Sequence, residues 1–179
     1  MSTISGPRPI GIVNVATHLV ASNLITLTPS VINNWPTANK AFYATIYVPG
    51  LCVATKLFWV NGTTLNGNFD MAIYDAVSLK RLTSMTPVSQ AGFSGVTQIT
   101  TLASPVTLRP GEYLLGISGS GTGRICQTGL GATRLSNALL LYEQTSAHPL
   151  PDPAVPVACT AGFVLPYIGF FTDQCGLTT

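Results

Sequence analysis

An all-β fold, an antiparallel β-sandwich of jelly-roll type with an extended N-terminal arm, is what this sequence of 179 residues predicts. Three observations carry it. Apolar and polar residues alternate with period two in several segments, and Gly, Pro and Asn clusters separate those segments. No stretch keeps an i, i+3, i+4, i+7 apolar stripe, so short strands follow one another without helices between them.

Residues 1–9 hold Ser, Thr, Gly and Pro without periodicity and form the expected arm; residues 10–179 form one sandwich domain. Ile10–Leu27 is apolar and rich in Thr and Asn, suited to one or two strands. Pro29–Asn39 is expected to be a loop, with Trp35 before Pro36. Ala41–Val48 is the clearest strand: Phe42, Ala44, Ile46 and Val48 share one face, and Tyr43, Thr45 and Tyr47 the other. Pro49-Gly50 ends it. Cys52–Val60 is apolar on both faces except at Lys56, which predicts a strand covered on both sides. Asn61-Gly62 and Asn66-Gly67 tolerate the positive φ of hairpin turns. Cys52–Val60 and Asn68–Asp75 are therefore expected to pair as a hairpin, with Phe69, Met71 and Ile73 inward and Asn68, Asp70 and Tyr74 outward.

A short polar strand is expected around Lys80–Met85, then a loop through Gln90–Gly95 and a strand at Val96–Thr100, after which Val106–Leu108 leads into the next turn. Arg109-Pro110-Gly111 is a turn, with proline presetting φ and glycine reversing the chain. Gly111–Ser118 comes next as a core strand with Tyr113, Leu115 and Ile117 on one face. Gly119–Gly131 reads as a mobile or partner-facing loop. Its G-S-G-T-G is no phosphate cradle, because neither Lys-Ser/Thr nor a helix start comes after it. Leu139–Glu143 is strand-like, and a connection through Pro149, Pro151, Pro153 and Pro156 leads to a last strand near Phe163–Phe171.

Composition narrows the function. Only 8% of residues are charged and 46% are hydrophobic, against about 25% charged in an ordinary domain. Mean hydropathy is +0.41. A disordered chain is excluded, since such chains are charge-rich and apolar-poor. A net charge of +2 without a basic run argues against non-specific nucleic-acid binding. The uncharged stretch between Asp152 and Asp173 has transmembrane length but contains Pro153, Pro156 and Pro166. Each would cost about 3 kcal/mol in a helix interior, and no Lys/Arg cluster flanks the stretch. No membrane span is expected. Pro7 and Pro9 interrupt the N-terminus, so no signal peptide is expected either. The remaining possibility is a chain whose exterior is largely covered by other chains.

The chemistry expected of the sequence is thin: no catalytic, cofactor-binding or metal residue is assigned. Cys52, Cys126, Cys159 and Cys175 lack the close pairs of a zinc site. They read as buried thiols of a chain made in a reducing cytoplasm, although their even number also permits two disulfides. Asn61-Gly62-Thr63 fits a glycosylation sequon and reads better as a turn. His18 and His148 are the only histidines, far apart in apolar or proline contexts. The carboxylates are Asp70, Asp75, Glu112, Glu143, Asp152 and Asp173; glycosidase chemistry needs two of them facing across a cleft, and Asp70 with Asp75 fails as such a pair. Asp70 and Asp75 alternate to opposite faces of one strand and each reads as a solvated edge or turn residue. Tyr43, Tyr47 and Tyr74 could stack against sugars; the plainer expectation is that they fill a second layer or a subunit contact.

Four patterns resemble a β-sandwich domain common in virion proteins of tailed bacteriophages: Trp35–Ala41 (W-P-x-A-N-x-A), Thr55–Leu57 (T-K-L), Gly67–Asp75 (G-N-x-D-x-x-I-Y-D) and Leu108–Ile117 (L-x-P-G-x-Y-x-L-x-I). The closing Leu165–Phe171 also fits. The resemblance covers about residues 35–118 and concerns strands and turns, so it implies virion membership and carries over no functional residue. Low charge and the glycine-rich 119–131 stretch depart from it. The expectation is a non-enzymatic virion structural protein without cofactors, acting as a homo-oligomer, a trimer first, against other virion proteins. Capsid decoration, with the major capsid protein as partner, leads; a tail- or fibre-associated receptor- or glycan-binding module is the alternative.

Overall fold

The computed structural model describes residues 13–14, 19–21, 31–127, 141–159 and 166–176. They form an all-β sandwich of two antiparallel sheets packed face to face. Sheet one runs β1 (Val13–Asn14), β2 (Leu19–Ala21), β14 (Ile168–Gly176), β5 (Leu51–Val60), β9 (Thr97–Leu108). Sheet two runs β13 (Val157–Ala158), β12 (Leu141–Gln144), β4 (Lys40–Val48), β10 (Gly111–Gly119), β6 (Asn68–Asp75), β7 (Arg81–Ser84), with β8 (Val88–Ser89) also against β6. A small ribbon pairs β3 (Val31–Asn34) with β11 (Arg124–Gln127).

The core lies between the inner faces. Phe42, Ile46 and Val48 of β4, Phe69, Met71 and Ile73 of β6, and Tyr113, Leu115 and Ile117 of β10 face Leu57 and Trp59 of β5, Leu102 and Leu108 of β9, and Ile168 and Phe170 of β14. These are the period-two positions of β4, β6 and β10. Trp35 closes one end, edge-on to Phe42 and Phe69 at 5.1 and 5.2 Å, while its indole N–H donates to Lys40 O. Each such aromatic contact adds about 0.5–1.5 kcal/mol beyond the area it buries.

β5 explains its own sequence. Cys52 and Ala54 point inward, then Leu57 and Trp59 do, because the register against β9 slips between Ala54 and Lys56. A bulge adds one residue and reverses the parity of the positions beyond it. The run that looks apolar on both faces is thus partly one inner face whose phase changes, and Leu51 and Lys56 are exposed.

The structure corrects several sequence-based expectations. β5 and β6 are not a hairpin. β5 pairs β14 and β9, β6 pairs β10 and β7, and residues 61–67 carry the chain from one sheet to the other. The expected 29–39 loop contains β3, and the strand expected at Val96–Thr100 runs on to Leu108 as β9. The 119–127 part of the glycine-rich stretch is neither loose nor free: it ends β10, crosses and forms β11. Gly67, at φ 86°, lies so close to Gly121 that a Cβ would come within 2.6 Å of its nitrogen. A Cβ on Gly123 would overlap Gln90 Oε1 and Asn66 O. Glycine is there because two backbones touch. Residues 1–9, His18 and 128–131 lie outside the described residues.

Candidate functional site

The outer face of sheet two holds a set of buried polar side chains, with Asp70 and Ser118 among them. Register places Asp70 opposite Ser118 and Ser118 opposite Ala41; Ala72 opposite Gly116 and Gly116 opposite Tyr43; Tyr74 opposite Leu114 and Leu114 opposite Thr45. Gly116 makes room. A Cβ there would sit 3.0 Å from the Tyr43 ring and 3.2 Å from that of Tyr74, which pack edge-on over it at 5.6 Å.

Residues 145–156 cross this face as a strap. Ala147, Leu150 and Ala154 pack on Ala41, Tyr43, Ala72, Tyr74 and Leu114. The sheet grips the strap chiefly by its backbone. Tyr74 OH donates to Pro151 O at 2.7 Å, Arg81 Nη1 to Leu150 O at 2.9 Å, and Leu150 N–H to Asp70 Oδ2 at 2.8 Å. Ala147 N–H and Ala154 N–H donate to Asn39 O and Leu79 O, while Asp152 accepts the N–H of Arg81. Tyr43 OH donates to Gln144 Oε1, and Ser118 Oγ lies 3.0 Å from His148 Nδ1.

Tyr43 and Tyr74 therefore fill a second layer, as the plainer expectation had it, and are 0% exposed. They offer no sugar platform. Asp70 and Tyr74 stand on the outer face of β6, as expected, but the strap covers that face and Asp70 is not a solvated edge residue. It is 1% exposed and its Oδ1 has no hydrogen-bond partner. Burial pushes its pKa up to about 6, against the Leu150 N–H and the Arg81 charge. Burial holds His148 below the usual imidazole value. Asp75 matches its expectation: backbone and hydroxyl donors of Ser78 stabilise its carboxylate and lower its pKa.

Ser118, His148 and Asp70 bring a hydroxyl, an imidazole and a carboxylate to one corner. The hydroxyl is 0% exposed, and the carboxylate binds the Leu150 N–H. Chemically, this arrangement holds a strap. The signal in the sequence was Asp70 sharing a strand face with Ala72 and Tyr74, an acid in an apolar row.

Two other polar centres behave alike. Asn61, fully buried, accepts from Trp59 Nε1 and donates to Ala91 O, while Gln90 links Arg124 O to the Asn66 N–H. The Asn61 amide is engaged internally, which fits a turn and not a glycosylated asparagine. Lys40 pairs with Glu143 at 2.8 Å, and Cys159 Sγ donates to the same carboxylate oxygen at 3.3 Å. Burial and Glu143 push the Cys159 thiol up to about 12, which makes it inert at neutral pH. Backbone register sets Cys175 opposite Cys52 on β14 and β5.

Apolar side chains stand out of the surface elsewhere: Val77, Phe93, Val155, Val157, Ile99, Leu51 and Leu82 among the described residues. Also among the described residues, no group of His, Cys, Asp and Glu could hold a metal ion, and no helix is long and apolar enough to cross a membrane.

No family model, characterised protein or solved structure matches the chain.

Proposed function

We propose that this protein is a structural subunit of a bacteriophage virion, a jelly-roll-like decoration protein that stabilises the head by binding across capsid subunits. It works as a homo-oligomer, a trimer first, and not as an enzyme. The observation that carries the reading is the surface: a sandwich with 8% charged residues leaves Phe93 73%, Val157 61% and Ile99 50% exposed. A chain so poor in charge gains by covering such side chains. At about 25 cal/mol per Å² of apolar area, a few hundred Å² per contact contributes several kcal/mol before association costs, and repetition around a shell multiplies it. The inward use of the polar clusters supports a scaffold, and the strand and turn patterns between Trp35 and Ile117 support the virion.

Immunogold electron microscopy of phage particles, with copy number from particle mass, tests the reading. Label over the head at hundreds of copies is the expected result. Label confined to the tail tip would overturn decoration, and absence from particles would overturn virion membership.

A further inference from the structure

We propose that the 145–156 strap is a proton-operated cover, latched to sheet two through Asp70 and lifted when Asp70 ionises. The geometry is specific. Asp70 lies under the strap, one oxygen receives Leu150 N–H, and Oδ1 makes no hydrogen bond, the Met71 N–H lending the carboxyl only a lesser stabilisation. A carboxylate in that position lacks the solvation it would have in water, whereas a carboxylic acid carries no charge to solvate. Lifting the strap wets the group without dismantling the sandwich, because Asp70 faces away from the inner core.

The groups facing Asp70 set the sign. From β7, Arg81 attracts its charge, but its Nη1 is committed to Leu150 O. From β4 and β6, Tyr43 and Tyr74 stay neutral, since burial raises both phenols. From β10, Ser118 does not titrate and holds His148. On the strap, Asp152 adds a like charge bonded to Arg81 N–H. His148 works in the opposite sense, because burial favours its neutral form and protonation therefore opposes closure. Burial holds the Asp70 carboxyl at about 6 beneath the strap, above the 3.8 of an ordinary carboxyl, so an opening that wets it is opposed below the lower value and favoured as pH climbs through the upper. This device is independent of the subunit's binding partner.

Hydrogen exchange on the full chain from pH 4 to pH 8, corrected for intrinsic rates, tests it. The amides of Ala147, Leu150 and Ala154 report strap opening, and that of Leu115 in β10 reports the core. The strap amides should be less protected than Leu115. Strap opening in the wild type, divided by that in Asp70→Asn, should rise about 50-fold between pH 4 and pH 7, as a shift of about two pKa units requires. His148→Gln should keep this rise and lose the opposing acid-side opening. Equal protection of strap and core at every pH would overturn the proposal, as would superimposable wild-type and Asp70→Asn profiles. If Asp70→Asn does not fold, a flat His148→Gln profile overturns it as well.

Discussion

The two outer faces of the sandwich are built from similar strands and end differently. On sheet two, Tyr43, Ala72, Tyr74 and Leu114 are roofed by the chain's own strap, which brings its backbone donors and acceptors to Asp70, Tyr74 and Arg81. On sheet one, register sets Phe171, Lys56 and Thr101 in one row and Gly169, Phe58 and Ile99 in the next. There Phe58 is covered by the tilted rings of Phe171 and Tyr167 at 5.3 and 6.3 Å, while Lys56, Ile99 and Thr101 remain open to solvent. An apolar outer face needs a cover. One sheet receives it in cis, with polar groups to fasten it, and the other leaves Ile99 uncovered.

Substitutions separate the two faces, and the largest effects fall under the strap. Tyr74→Ala should cost about 3–5 kcal/mol in denaturant unfolding, the value of a core aromatic. A loss below about 0.5 kcal/mol, typical of surface sites, would mean the strap covers nothing of weight. Asp70→Asn should stabilise at pH 7. The folded-state pKa of about 6 exceeds the unfolded 3.8, so ionised Asp70 costs up to about 3 kcal/mol at pH 7. The gain should vanish below about pH 4, where both states hold the proton; a gain independent of pH would place its origin elsewhere than in charge burial. Gly116→Ala should destabilise by about 1–3 kcal/mol, because its Cβ forces apart rings already in contact. The smallest effect belongs to the open face. Ile99→Ser should change the stability of the free subunit by no more than about 0.5 kcal/mol while weakening its self-association in sedimentation. A large loss of stability would show Ile99 packed within the subunit.

Much of the fold was legible, and the failures have definite causes. The strands at Ala41–Val48, Asn68–Asp75 and Gly111–Ser118 stand where alternation put them, with the inward set of each as expected. Local pattern reaches that far because side chains alternate at every residue of a regular strand. The expected hairpin failed because Asn-Gly permits a reversal without saying whether the next strand returns beside the last or crosses to the other sheet. Gly119–Gly131 reads as a mobile or partner-facing loop because a glycine that frees a backbone and one that lets two backbones touch look the same in sequence. Asp70 reads as solvated because its place in a row with Ala72 and Tyr74 does not say what covers the row, and the cover comes from 80 positions away, the separation of its bond to Leu150.

By itself, the amino-acid order determined that this chain would be a β-sandwich with little charge, and which residues of β4, β6 and β10 would look inward. Period, turn chemistry and composition act between near neighbours, so they can be read along the chain. Only the tertiary structure decided which strands sit side by side, which outer face is roofed, and that Asp70 and the Tyr43–Tyr74 pair are sealed beneath the strap. Those outcomes depend on contacts between distant segments, where burial changes the meaning of a side chain that the local sequence leaves open.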